Sequence, residues 1–346
     1  MTSRLKDVAA LAGVSIRTVS NVVSGSGAVA EHTRAKVQAA LEELGYRPNV
    51  AARNLRAGRT GLIGLAIPEL HSPYFSELAG LVVQAAQQRS WTVVIDQTFG
   101  DADAERRLLE GTGGRLVDGL VISPWALSPE ELAARAQRVP LVFLGERSPG
   151  GLADRVAVDN VLAADEATTH LLGLGRRRIA ALGLQPHLHN GTARQRHKGY
   201  RAALERAGLA PDPALERTVD ALHRADGYAA MSALLDEGVE ADAVFAFTDE
   251  LALGALHCAH NRGLRVPEDL AVMGFDGIDD ARFANPALTT VVPDKRQIAE
   301  RVLQCLADRI YSPSSAVPPQ DIVVPHHLEV RASTVGHGTE GAEATR

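Results

Sequence analysis

The stretch LKDVAALAGVSIRTVSNVVSG, residues 5–25, decides how the amino-terminal part of the chain folds. Leu5, Val8, Ala9 and Leu11 recur at helical spacing until Gly13 interrupts them. Ser15 then stands where a hydroxyl can cap a second helix running from Ile16 to Val23. The product is a helix, a tight glycine turn and a helix. Outward from it, SGSGA at 24–28 reads as a loop. Beyond that, Thr33–Leu44 carries a third apolar stripe of Val37, Ala40, Leu41 and Leu44, ended by Gly45. The segment around Asn49–Arg56 is too short to be helical unaided, because nucleation is costly below about 12 residues.

From residue 61 the pattern changes to alternating apolar strands and amphipathic helices. Strands are predicted at Leu62–Ile67, Thr92–Ile95, Gly119–Ile122, Leu141–Leu144, Ile179–Leu182, Ala243–Phe247 and Leu270–Phe275. Helices are predicted at Tyr74–Arg89, Glu130–Gln137, Ala164–Leu174, Arg194–Ala207, Tyr228–Leu235 and Leu251–Arg262. Repeated β-α-β order implies parallel, doubly wound sheets that bind ligands beyond the carboxyl ends of their strands. About 270 residues of this pattern exceed one open sheet, so two lobes are expected.

Charge is unevenly spread. Residues 1–60 hold nine Lys/Arg against four acids, so the remainder carries −11 of a chain whose net charge is −6. A basic head on an acidic body suits a polyanion-binding module, because neutralising phosphates releases counterions. No apolar run approaches the ~20 residues that span a bilayer, and no apolar signal core follows the start, so a cytoplasmic location is expected. Cys258 and Cys305 lie in helical patterns without a CxxC partner, which predicts buried thiols.

With these elements in place, the chain resembles the LacI/GalR family of bacterial repressors along nearly its whole length. Residues 5–25 resemble that family's helix-turn-helix, and LEELGYRPNVAARNLRAGRTGLIGL (41–65) its third helix, hinge and first core strand. HSPYFSEL (71–78), VDGLVIS (117–123), ARQRHKGYRAAL (193–204), AVFAFTDELALGAL (243–256), GLRVPEDLAVMGFD (263–276) and PALTTVVPD (286–294) follow in order. The fold implied is an all-α helix-turn-helix head plus an α/β, two-lobed, periplasmic-binding-protein-like core. The expected parts are a head at 1–48, a hinge helix and linker at 49–60, and an N-terminal lobe of 61–158 with 292–320. A C-terminal lobe of 159–291 with 321–334 and a disordered tail at 335–346 complete the chain. Three crossover strands are placed near 159–161, 288–292 and 320–324.

The function implied is a dimeric transcription repressor, not an enzyme, whose affinity for double-stranded operator DNA is allosterically controlled by a small effector, a sugar or nucleobase. In a helix-turn-helix the second helix enters the major groove. Arg17 can pair with guanine, Asn21 with adenine, and Ile16 can meet a thymine methyl. The alternative is that Arg17 and Asn21 only solvate the outer face of a three-helix bundle. Thr2, Ser15, Thr18 and Ser24 are expected at phosphates. By the resemblance, paired hinge helices starting at Asn49 lie in the minor groove, with Leu55 wedged between base pairs. Two departures from the family stand out: Asn21 replaces its usual Arg, and Ala30 replaces its Ser cap on the third helix.

Effector contacts implied by the resemblance are Leu70, Ser72, Phe75 and Ser123 on the first lobe, with Arg196, Leu222, Thr248 and Asp276 on the second. A carboxylate at a strand end can accept vicinal hydroxyls, and a guanidinium fork can donate to sugar or base oxygens. For Arg196 and Asp276 the alternative is an interlobe or surface salt bridge. Leu222 stands where relatives place a stacking aromatic, and Asp276 precedes Gly277 rather than a second Asp. Dimerisation is expected through lobe surfaces that include the Tyr74–Arg89 helix, and the polar stretch from Thr334 onward lacks a Leu-rich tetramerising tail.

No cofactor or metal is expected: His187-x-His189 and His326-His327 have no acid or cysteine at ligand spacing. GTGG (111–114) lacks a phosphate-loop pattern. The rival readings are a transporter's sugar-binding protein, which has no use for residues 1–60, and a ribose-utilising enzyme, whose catalytic groups are not evident.

Overall fold

The computed structural model describes residues 4–24, 28–46, 59–110, 117–135, 140–146, 151, 153–186, 191–312 and 318–336. The chain divides into two compact units, 1–60 and 61–346. The first unit is three helices, Leu5–Ala12, Ile16–Ser24 and Glu31–Glu43. Gly13 ends the first in the left-handed region at φ 66°, where a residue without a Cβ meets no steric penalty. Ser15 starts the second, its hydroxyl oxygen accepting from the Thr18 amide at 3.1 Å. The third begins at Ala30 without a side-chain cap. Val8, Ala9, Val19, Val22, Val37 and Ala40 close a small core.

The second unit holds two six-stranded sheets. In chain order the strands are β1 Leu62–Ile67, β2 Thr92–Gln97, β3 Gly119–Ile122, β4 Leu141–Leu144, β5 Asp154–Val158 and β6 Ile179–Leu184. They continue as β7 Glu216–Thr218, β8 Ala243–Ala246, β9 Ala271–Phe275, β10 Thr289–Pro293, β11 Asp321–Val324 and β12 His326–Glu329. One sheet has the order β11-β5-β4-β3-β1-β2 and the other β12-β10-β9-β8-β6-β7. Every pairing is parallel except β10 with β12. Helices Pro73–Gln87 and Lys295–Tyr311 cover one face of the first sheet, and Ala102–Glu110 and Pro129–Arg135 the other. On the second sheet, Asn160–Gly173 and Gly191–Arg206 oppose Arg224–Asp236 and Asp249–Asn261.

The chain passes between lobes at Asp159, Asp294 and Pro325. Each aspartate caps the helix it enters: Leu162 donates to Asp159 at 2.9 Å and Gln297 to Asp294 at 2.8 Å. The Asp294 amide also donates to the Pro325 carbonyl at 3.1 Å, tying two crossings together.

Several expectations need correction. Residues 321–324 pair with β5 and therefore lie in the first lobe, not the second, while 292–293 belong to β10 in the second. Short apolar runs do not say which sheet will pair them, so crossover positions inferred without partners drift by a few residues. The run 159–161 is a helix cap and start, not a strand. Strands β5, β7 and β12 and helices Ala102–Glu110 and Lys295–Tyr311 were not foreseen. Thr334 is not in a polar tail: it is buried in the helix Ala332–Val335, its hydroxyl 2.7 Å from that of Thr289. The tail expected at 335–346 is corrected at its start, since Val335 ends that helix and Gly336 follows as its cap; 337–346 and the hinge from Asn49 to Arg56 lie outside the described residues.

Candidate effector cleft and DNA-reading helix

The cleft forms where the carboxyl ends of both sheets meet. Its walls are Ser72, Phe75, Ser123 and Trp125 from the first lobe, and Arg196, Leu222, Thr248 and Asp276 from the second. Leu70 is the exception among the expected contacts: it does not line the cavity, and its side chain is 43% exposed. The cavity is about 100 Å³, smaller than the ~150 Å³ void that admits benzene.

Arg196 projects from the helix Gly191–Arg206 into this space. Its Nε donates to Asn160 Oδ1 at 2.8 Å, and its Nη1 donates to the Phe247 carbonyl. Both terminal nitrogens reach Asp276 Oδ1 at 3.4 Å. The guanidinium carbon lies 3.4 Å from the centroid of the Phe275 ring, a cation–π contact made inside the protein. The pair is thus neither on the surface nor between lobes, since both residues belong to the second. Asn160 continues the chain of contacts, its amide donating to Glu146 of the first lobe at 2.5 Å.

Asp276 follows β9 at φ 121°, a backbone strain for a residue with a Cβ. Burial raises its carboxyl from 3.8 to about 7, even though the Arg196 guanidinium opposes the shift. Behind it, burial lifts Asp249 to about 6, although Thr290 and the Ile278 amide donate to it at 2.6 and 2.9 Å. Gly277 has a local reason: at φ 59° a Cβ there would meet the Val292 side chain at 2.8 Å, so a second aspartate has no room.

Leu222 and Thr248 sit together, the Thr248 hydroxyl donating to the Leu222 carbonyl at 3.3 Å while capping the helix Asp249–Asn261. Aromatic cover comes from the first lobe. Phe75 and Trp125 lie edge to face with centroids 6.0 Å apart. Trp125 is held by buried Glu105, whose carboxylate accepts from the amides of Trp125 and Leu127 at 2.6 and 3.0 Å. Sequence reasoning missed Trp125, Glu146, Asn160, Glu69 and His223 in this lining. Of these, only the run Val158-Asp159-Asn160 at a lobe crossing offered a local signal.

Further polar contacts join the lobes. Glu77 accepts from Lys295 at 2.5 Å and from the Asp279 amide at 2.9 Å, and Lys295 also donates to the Gly277 carbonyl at 2.8 Å. His223 Nε2 lies 2.8 Å from Glu69 Oε2.

In the head, Ile16 is 54% exposed at the start of the second helix, and Arg17 is exposed beside it. Asn21 is half-buried one turn on. Ser15 and Thr18 have their hydroxyls 2.9 Å apart, so both are already engaged in the helix start. Of Ser24 only its place at the helix end is described; Thr2, Asn49 and Leu55 lie outside the described residues.

A three-helix head of this kind, followed by two doubly wound sheets crossed three times by the chain, defines a helix-turn-helix protein with a two-lobed ligand-binding core. Residues 4–49 match the family described as bacterial regulatory proteins, lacI family, and residues 168–334 match the periplasmic binding protein-like domain. The ribose operon repressor of Escherichia coli is 36% identical over 312 residues, 90% of this chain and 94% of that protein. A solved structure of the lac repressor dimer bound to operator and the anti-inducer ONPF superposes with a TM-score of 0.80. It is 29% identical and covers 96% of this chain and 99% of the other. The complex of the transcriptional regulator CelR with cellobiose gives 0.71 at 33% identity, covering 96% and 99%. The chain belongs to the LacI family. It is a DNA-binding transcriptional repressor with an effector-binding core, and its relatives are regulators rather than enzymes. Among the described residues no helix is long and apolar enough to cross a membrane.

Proposed function

We propose that this repressor acts in the cytoplasm as a homodimer and that its effector is a small sugar held between Arg196 and Asp276 on one side and Phe75 and Trp125 on the other. One observation carries the reading. The buried Arg196–Asp276 pair is open to 3.4 Å, whereas the exposed pair Arg206–Asp165 closes to 2.6 Å. Charge-assisted bonds prefer about 2.7–2.9 Å, so the two groups, both of which line the cavity, do not saturate each other. Vicinal hydroxyls are the chemistry that takes up what remains, one accepting from the guanidinium and one donating to the carboxylate. Relatives named for ribose and solved with cellobiose support the carbohydrate class.

On the head, Ile16, Arg17 and Asn21 read bases while Ser15 and Thr18 face phosphates, with Asn49 and Leu55 serving in the hinge. The dimer face includes the helix Pro73–Gln87, whose outward positions Ser76, Gly80, Gln84 and Gln87 are small or uncharged. Such a stripe allows close approach without burying charge.

The test is fluorescence anisotropy of the chain's own upstream DNA, titrated with protein in the presence of ribose, cellobiose or free nucleobases. One sugar is expected to shift operator affinity by roughly 5–150-fold. Arg196→Gln is expected to keep operator binding and lose that shift. A response to nucleobases alone overturns the sugar assignment; a monomer indifferent to the DNA overturns the whole reading.

A further inference from the structure

Beside the effector contacts, three potential metal ligands from the two lobes converge at the cleft wall. Glu69 and His71 follow β1 in the first lobe, and His223 immediately precedes the helix Arg224–Asp236 in the second. One donor atom from each lies within 4.8 Å of both others. Glu69 Oε2 is 2.8 Å from His223 Nε2 and 3.8 Å from His71 Nε2. The imidazole rings lie 5.2 Å apart, tilted by 51°. We infer that Glu69, His71 and His223 form a zinc-class metal site that clasps the two lobes across the mouth of the cleft.

The spacing supports the assignment. In a tetrahedral site with bonds of about 2.0–2.1 Å, neighbouring ligand atoms are separated by roughly 3.3–3.4 Å. The 2.8 and 3.8 Å separations from Glu69 bracket that edge, and the two imidazole donors lie within 4.8 Å of each other, so side-chain shifts of roughly half to one and a half ångströms complete the site. The donor set selects the ion: two imidazoles and one carboxylate suit zinc, whereas magnesium and calcium favour oxygen ligands. Asp226 Oδ2 accepts from the His223 amide at 3.2 Å and stands 3.8 Å from His223 Nδ1. A small rotation that closes this gap on metal binding lets the acid orient the ligating ring through its far nitrogen. Three protein donors leave a fourth position for water or for a hydroxyl of the cleft's ligand, since Glu69 and His223 also line the cavity.

Because the donors come from both lobes, an ion that needs all three favours the arrangement that brings the lobes together. It therefore changes effector affinity through lobe closure. The site itself goes beyond the sugar reading, while its effect on effector affinity rests on that reading: zinc binding tests the site whatever the effector, and operator binding without metal stands whether or not the site is real.

The experiment is calorimetric titration of chelator-treated, full-length protein with zinc chloride, with magnesium chloride as comparison. One zinc per chain is expected, with affinity falling at least tenfold in His71→Ala and in His223→Ala. His71 has a side chain 64% exposed, so His71→Ala is expected to retain the thermal stability and the metal-free operator and effector binding of the parent. Effector affinity of the parent is expected to differ several-fold between zinc-loaded and chelated protein, and that difference to vanish in His71→Ala. Zinc binding that survives unchanged in the His71→Ala, His223→Ala double variant places the ion on other histidines and overturns the site. Zinc binding that depends on both residues but leaves effector affinity unmoved overturns the clasp.

Discussion

At the scale of single residues, burial has displaced the titration of two carboxyls, one lining the cleft and one behind it. Folding favours protonated Asp276, whose carboxyl rises to about 7, and protonated Asp249, at about 6. The stabilisation linked to these protons is complete below the ordinary carboxyl value of about 4 and is lost as pH rises through about 6 to 7. Thermal unfolding of the effector-free chain should therefore show a decline across that window which Asp276→Asn flattens. Superimposable pH profiles for parent and variant would contradict the burial argument. Trp125 offers a second check, because the chain has only two tryptophans. Trp125 lines the cleft, whereas Trp91 is buried against the ring of Tyr311. Effector binding is expected to change intrinsic fluorescence in the parent and in Trp91→Phe, and to leave it unchanged in Trp125→Phe.

At the scale of elements, glycine sets how closely the helices of the second lobe can approach. A Cβ on Gly254 would lie 2.0 Å from the Arg224 carbonyl, and one on Gly227 would lie 2.1 Å from that of Leu251. The helices Arg224–Asp236 and Asp249–Asn261 therefore touch backbone to backbone. They carry His223 at the start of one and Thr248 at the start of the other. Gly254→Ala must push them apart, and we expect a loss of about 1–3 kcal/mol, read as a lower Tm in calorimetry together with weakened effector binding. A variant as stable as the parent would mean that the two helices slide freely. For the hinge, whose residues lie outside those described, the proposed wedge predicts that Leu55→Ala weakens operator binding at least tenfold and leaves effector binding intact. Equal operator affinity in a gel-shift titration would remove Leu55 from that role.

At the scale of the whole molecule, regulation is a matter of linkage. The lobes meet through Glu146–Asn160, Glu77–Asp279, Lys295–Gly277 and Glu69–His223, all beside the cleft. A ligand that alters lobe spacing perturbs these contacts together. If the effector changes operator affinity by some factor, operator DNA must change effector affinity by the same factor. Calorimetric titrations of effector into free and operator-bound protein should return the factor obtained from anisotropy. Two unequal factors would require a further binding event that one assay misses.

Local physics in the sequence determined the architecture, and the resemblance carried by its ordered motifs implied the class of protein. A glycine turn between two apolar helical periods and a hydroxyl at Ser15 specify the head, and the alternation of apolar runs with amphipathic helices specifies doubly wound sheets. The family resemblance of the ordered motifs further implied Arg196 and Asp276 as effector contacts. Tertiary structure alone decided which sheet each crossover strand joins, since strand pairing is non-local and β11 could be assigned only beside β5. It likewise showed that Arg196 and Asp276 form one buried pair, that Trp125 is brought into the cleft on a loop held by Glu105, and that Glu69 meets His223 from 154 positions away. Side-chain chemistry is written residue by residue, but convergence depends on where the backbone returns, and no local spacing encodes that return.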